Sequence, residues 1–180
     1  MSNESILHKL DQQGQAAPRI DLRGAEGQTR GGQRYDVIGE IARGGVGVVH
    51  RGRDNDLGRD VALKVLRDEH RARPELVQRF VEEAQIGGQL QHPGIVPVYE
   101  LGLRDDQRPF FSMKLVKGET MAKRIARRSD PSDGRRALLA VFRDVCRTMA
   151  YAHARGVLHR DLKPSNVMIG SFGEVQVVDW

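Results

Sequence analysis

Between His159 and Asn166 the chain sets an imidazole, a guanidinium, a carboxylate, an ammonium and a carboxamide close together, in the run His159-Arg160-Asp161-Leu162-Lys163-Pro164-Ser165-Asn166. Such a polar run is either a structural turn capped by Asp161 and Asn166 or a place where charge is handled. Two other stretches carry chemical interest. Glycines 44 and 47, within Ile41-Ala42-Arg43-Gly44-Gly45-Val46-Gly47, would let backbone N–H groups approach phosphate oxygens with no Cβ in the way. A glycine-rich hairpin turn is the plainer alternative. Val48-Val49 continues as strand, which disfavours a dinucleotide fold, because that fold needs a helix straight after the glycines. No Gly-Lys-Ser/Thr occurs, so the P-loop signature is absent. Lys64 lies among Val61, Leu63, Val65 and Leu66, where an ammonium is costly unless it is paired or snorkels at an edge.

These residues need elements to position them. Residues 35–41 and 48–52 read as two strands joined by the glycine turn, and 61–66 as a third. Pro74 opens a helix whose apolar residues Leu76, Val77, Phe80, Val81 and Ala84 step by three and four. His92-Pro93-Gly94 ends it, and 95–99 and 109–113 read as two further strands. After Gly118 the chain is expected to turn helical, with a long apolar face over Leu138, Leu139, Val141, Phe142, Val145, Cys146, Met149 and Ala150. Short strands at 167–169 and 175–178 close it. The expected class is α+β in two lobes: a five-stranded antiparallel sheet with one helix over 34–117, then a mainly helical lobe over 118–180. Residues 1–33 read as a disordered polar tail with a short helix near Ile6–Leu10.

Taken in order, the motifs resemble the eukaryotic-like protein kinases, and the wording of His92-Pro93-Gly94-Ile95-Val96 and Leu162-Lys163-Pro164-Ser165-Asn166 is similar to the bacterial Ser/Thr branch. The resemblance covers residues 35–180 and implies a two-lobed fold using ATP and Mg²⁺ to phosphorylate a protein Ser or Thr. It makes Asp161 the base for the substrate hydroxyl, and Lys163 a neutraliser of the γ-phosphate. Asn166 and Asp179 become the Mg²⁺ ligands, Asp179-Trp180 standing where Asp-Phe-Gly is expected. Lys64 would hold the α- and β-phosphates with Glu83 as its ion-pair partner. Glu82 is rejected, since one residue rotates a helical side chain by about 100° and Glu83 is the one followed by Ala84, as in the family. Adenine would lie between Val49 and Ala62 above and Met168 below, with Ile41 also at the nucleotide site, Met113 as gatekeeper and backbone groups of Lys114 and Val116 at the linker. Ala42 departs from the first glycine of the phosphate loop, and Lys114 from an acidic residue. The resemblance leaves His159 a packed structural residue. A nucleotide-binding pseudokinase or scaffold is the alternative, opposed by the presence of Lys64, Asp161 and Asp179.

Composition narrows the rest. The 180 residues are 39% hydrophobic, enough for a packed core, and the longest apolar run is Ala137 to Phe142, too short to span a membrane. There is one cysteine, Cys146, so no internal disulfide and no multi-cysteine zinc site, and Cys146 is expected to fill the core. Net charge is +5, but basic residues are not interleaved with aromatics (5%), so nucleic-acid binding is not expected. No secretory signal starts the chain, and a cytoplasmic protein is the expectation. Because the resemblance stops at Trp180, weak or no transfer by these residues alone is expected. An uncovered apolar face on the helix around 138–150 would await a partner or a further segment.

Overall fold

The computed structural model describes residues 34–180, so the expected tail and its short helix lie outside the described residues. The elements in order are β1 (Tyr35–Arg43), β2 (Gly47–Asp54), β3 (Arg59–Leu66), α1 (Pro74–Gln89), β4 (Val98–Leu103), β5 (Pro109–Lys114), β6 (Gly118–Thr120), α2 (Met121–Ala126), α3 (Arg135–Ala154), β7 (Val167–Gly170) and β8 (Val175–Val177). The first five strands form one antiparallel sheet, as the sequence led us to expect, and the structure sets their order as β1-β2-β3-β5-β4.

Strand β3 lies in the middle, and every residue from Val61 to Leu66 is buried, which is why its sequence is apolar on both faces. Helix α1 starts at Pro74, whose missing N–H costs nothing in a first turn. It buries Phe80 and Ala84 against Leu66 and Phe111, with Val77, Val98, Leu101 and Met113 around them. The Phe80 and Phe111 rings are 5.2 Å apart.

The fourth strand begins later than expected. Pro97 has no N–H for a ladder, and Ile95 instead makes an isolated parallel bridge to Val177 of β8. The Val177 N–H donates to the Gly94 carbonyl at 2.8 Å, so residues 94–95 join the two lobes. Gly94 is required there, because a Cβ would collide with the Thr148 hydroxyl.

In the second lobe, α3 buries Val141, Val145, Thr148 and Ala152, a stripe at helical spacing. Val141 and Val145 pack on Val167, Ile169, Val175 and Val177 of a small sheet ordered β6-β7-β8. Strand β6 corrects the expectation that the chain turns helical directly after Gly118. Three residues pair with β7 first, and Thr120 then caps α2 by accepting from the Lys123 N–H at 3.2 Å. The apolar face of α3 is wider than the sheet it covers. Leu139 and Phe142 are each 59% exposed, and Cys146 is also exposed, which overturns the expectation of a core cysteine. Its neighbour Val145 takes the core position, and one residue on turns the thiol away by about 100°. Among the described residues no helix is long and apolar enough to cross a membrane.

Candidate active site

Lys64 is 7% exposed, and a charge so buried must be neutralised. Its Nζ donates to Glu83 Oε1 at 2.5 Å and to Asp179 Oδ1 at 3.0 Å. Three distant segments, β3, α1 and the stretch after β8, therefore meet at one ammonium. Glu83 is the partner; Glu82 instead accepts from Gln78 on the solvent side of the helix. Burial works against the Lys64 charge, but the carboxylates of Glu83 and Asp179 outweigh it and hold the ammonium above its ordinary range. Burial pushes the Glu83 carboxyl up, with Lys64 opposing.

The run from His159 to Asn166 is a folded-back loop. The Asp161 N–H bonds to the His159 carbonyl at 2.8 Å, closing a three-residue turn with Arg160 at φ +62°. His159 is buried, and its Nε2 lies 2.9 Å from the Val178 carbonyl, while the Val178 N–H donates to the Asn166 carbonyl at 3.0 Å. Both backbone groups of Val178 are thus fixed by the loop, and Asp179 follows directly at φ +60°. Two non-glycine residues in the left-handed region, each costing on the order of 1–3 kcal/mol, flank the polar groups.

Asp161 is exposed and accepts from Lys163 Nζ at 2.6 Å. That ammonium holds its carboxyl below the usual carboxylate range. Asn166 is buried, and its Nδ2 donates to the Asp161 carbonyl at 3.0 Å and to Asp161 Oδ2 at 3.3 Å. With Nδ2 engaged, Asn166 presents Oδ1 as its remaining group. Asp179 keeps its second oxygen beyond the one given to Lys64. A pair of oxygen donors suits a hard cation such as Mg²⁺.

The cleft follows from strand register. Val49 pairs with Lys64, and Ala62 with Met113, so all four sit on the inner face of the sheet. Gly47 is buried on this face, and a Cβ there would press on Phe80 and the Lys64 stem at 3.2 and 3.3 Å. Gly44 closes the loop by donating to the Gly47 carbonyl at 2.9 Å. Ile41 lies on the exposed β1 beside a register irregularity between Glu40 and Ala42. Met168 is half-buried on β7, between Val167 and Ile169, which face the α3 core. At the linker the Lys114 N–H donates to the Pro97 carbonyl at 3.0 Å, which takes that donor out of reach of a base. A cavity of about 440 Å³ lined by Val48, His50, Val65 and Arg108 lies on the other face of the sheet.

A family model described as protein kinase domain matches residues 35–180. The chain belongs to the protein kinase family. The kinase domain is 39% identical over 157 residues to the serine/threonine-protein kinase PknD of Chlamydia muridarum, covering 82% of this chain and 17% of that protein. Its identity to PknD of Protochlamydia amoebophila is 38% over 157 residues, 81% of this chain and 16% of the relative. The crystal structure of the Mycobacterium tuberculosis PknI kinase domain superposes with a TM-score of 0.67 at 29% identity, covering 82% of this chain and 59% of that one. The chain thus spans about a sixth of the length of the curated relatives it matches.

The kinase fold brings Lys64, Glu83 and Asp179 into contact, and separately Asp161, Lys163 and Asn166. Sequence reasoning missed Arg67 and His70, which reach the glycine loop from the β3–α1 connection. No local signal marks them, since they occupy a short polar connection. It also missed Phe111, whose ring centroid is 5.8 Å from Lys64 Nζ.

Proposed function

We propose that this kinase domain transfers the γ-phosphoryl group of ATP to a Ser or Thr hydroxyl of a protein. The observation that carries the reading is Lys64 held between Glu83 and Asp179, which ties the glycine-bearing sheet to the loop that follows β8. In the proposed step the bond between the γ-phosphorus and the β–γ bridging oxygen breaks, and a bond from phosphorus to the substrate oxygen forms. The hydroxyl proton goes to the Asp161 carboxylate, and ADP leaves. Asp161 suits this role because Lys163 keeps it ionised and its loop fixes its backbone. Lys64 would orient the α- and β-phosphates, and Lys163 would offset charge on the γ-phosphate. Gly44 and Gly47 would admit the phosphates, while Ile41, Val49, Ala62, Met113 and Met168 would enclose the base with Lys114 and Val116. Asn166 and Asp179 would hold Mg²⁺, which when bound supplies charge neutralisation.

Transfer from radiolabelled ATP to a generic Ser/Thr protein tests the reading, with Asp161→Asn expected to slow it by about 10²–10⁴-fold. A thermal melt adds a second measurement. Mg-ATP at 100 times its Kd should stabilise the chain by about 2.7 kcal/mol, and Lys64→Ala should remove that gain. Binding without transfer matches the weak or absent transfer expected of these residues alone, whereas transfer that Asp161→Asn leaves unchanged would overturn Asp161 as the base.

A further inference from the structure

The tip of the glycine loop is held from outside. His70 Nε2 lies 2.8 Å from the Gly45 carbonyl, and the Arg67 guanidinium lies 3.4 and 3.5 Å from the Gly44 and Gly45 carbonyls. The Arg67 N–H donates to the Val46 carbonyl at 3.0 Å. His70 is set for this by the short 3₁₀ turn Asp68–His70, whose His70 N–H bonds back to the Arg67 carbonyl at 3.0 Å. Its Nδ1 is buried without a partner among the described residues, so Nε2 is the edge through which the ring bonds. Glu69 Oε1 is 3.6 Å from the same nitrogen, but it is already engaged by Arg67 at 2.9 Å.

What the loop leaves free matters as much. Among the described residues the N–H groups of Gly45 and Val46 have no hydrogen-bond partner. The Gly45–Val46 peptide is trans, so its carbonyl and its N–H point in opposite directions. A bond that fixes the Gly45 carbonyl on His70 therefore aims the Val46 N–H away from His70. Val46 itself is anchored by packing against the cluster around Leu66 and Phe80.

We propose that His70 is a positioning residue for phosphate binding: by holding the Gly45 carbonyl it presents the Val46 N–H to the triphosphate. This rests on the ATP-binding reading above and deepens it. His70 touches no substrate; it acts through the orientation of one peptide plane. An oriented N–H replaces a freely rotating one, and the ordering cost is met before the nucleotide arrives.

The experiment uses the 180-residue chain and two probes, Mg-ATP and adenosine, which carries no phosphates. His70→Ala should weaken Mg-ATP by about threefold to tenfold, the range that one neutral hydrogen bond supports, and leave adenosine unchanged. His70→Gln, whose side-chain amide can still donate, should restore most of the loss. Equal weakening of both probes in His70→Ala would mean general damage to the lobe and would overturn the proposal, as would unchanged Mg-ATP affinity. On the unaltered chain, a nitrogen-15 imidazole spectrum should show Nε2 of His70 protonated and coupled across a hydrogen bond to the Gly45 carbonyl. A missing coupling would overturn the proposal even if the variants failed to fold. Absence of Mg-ATP binding by the unaltered chain, with the coupling present, would instead sink the ATP-binding reading and this inference together.

Discussion

Asp54 has no exposed surface, yet it carries a charge, because the Arg34 and Arg59 guanidiniums and the Leu57 N–H converge on it at 3.3 to 3.4 Å. Beside it the Tyr35 hydroxyl bonds to Glu100 at 2.5 Å and lies 3.0 Å from Ser112, tying the start of β1 across to β4 and β5. Burial, helped by the Glu100 carboxylate, pushes the Tyr35 phenol up to about 12. The neutral phenol is thus favoured in the folded chain. That stability is fully present below the unfolded value, about pH 10, and is lost as pH rises towards 12. Denaturant unfolding at several alkaline pH values should show Tyr35→Phe losing less stability than the unaltered chain across that window. The difference should be on the order of 1 kcal/mol once solvent screening of a partly exposed group is allowed for. Identical pH slopes would contradict this. None of the network was legible in the sequence, since its bonded partners lie up to 77 positions apart and no spacing rule joins them.

Helix α1 was legible as an element, from Pro74 and the stripe through Val77, Phe80 and Ala84, but the paired glycines near its end were not. The sequence presents Gly87-Gly88 as two equal weaknesses that should loosen the last turns. In the structure Gly87 is buried against β4, where a Cβ would come within 2.9 Å of Val98, whereas a Cβ on Gly88 would meet nothing within 4 Å. Gly87 thus permits the close approach of α1 to the sheet, and with it the reach from Glu83 to Lys64. Gly88→Ala should raise the melting temperature, gaining up to about 1 kcal/mol of helix propensity. Gly87→Ala should bring no gain, because overpacking of about 1–3 kcal/mol offsets the propensity. Equal stabilisation by both would show that the contact with Val98 is unimportant. Strand β6 escaped sequence reading for a related reason. Its three residues are too few to show alternation, and it exists because Gly118 lets the chain pass against the Ile169 carbonyl.

At the scale of the two lobes, α3 leaves an apolar stripe in solvent: Leu139, Phe142, Cys146 and Ala150. Replacing Leu139 and Phe142 together by Lys should leave the melting temperature nearly unchanged, since neither is in the core, and should reduce self-association in sedimentation velocity. A large drop in melting temperature would place them in a contact that the fold does not show. Every described strand but β6, the two main helices and the order of the motifs follow from the sequence alone. Those signals are local: alternation, helical spacing, glycine and proline positions, and short runs of polar residues. Lys64, Glu83, Asp161, Asn166 and Asp179 could be named from them once the resemblance was recognised. Only the tertiary structure decided which of these residues touch, that Lys64 is shared between Glu83 and Asp179, and that His70 grips the glycine loop. It also decided that residues 94–95 bridge the lobes and that Cys146 faces water. Such facts depend on distances between segments far apart in the chain, which packing sets and local sequence does not encode.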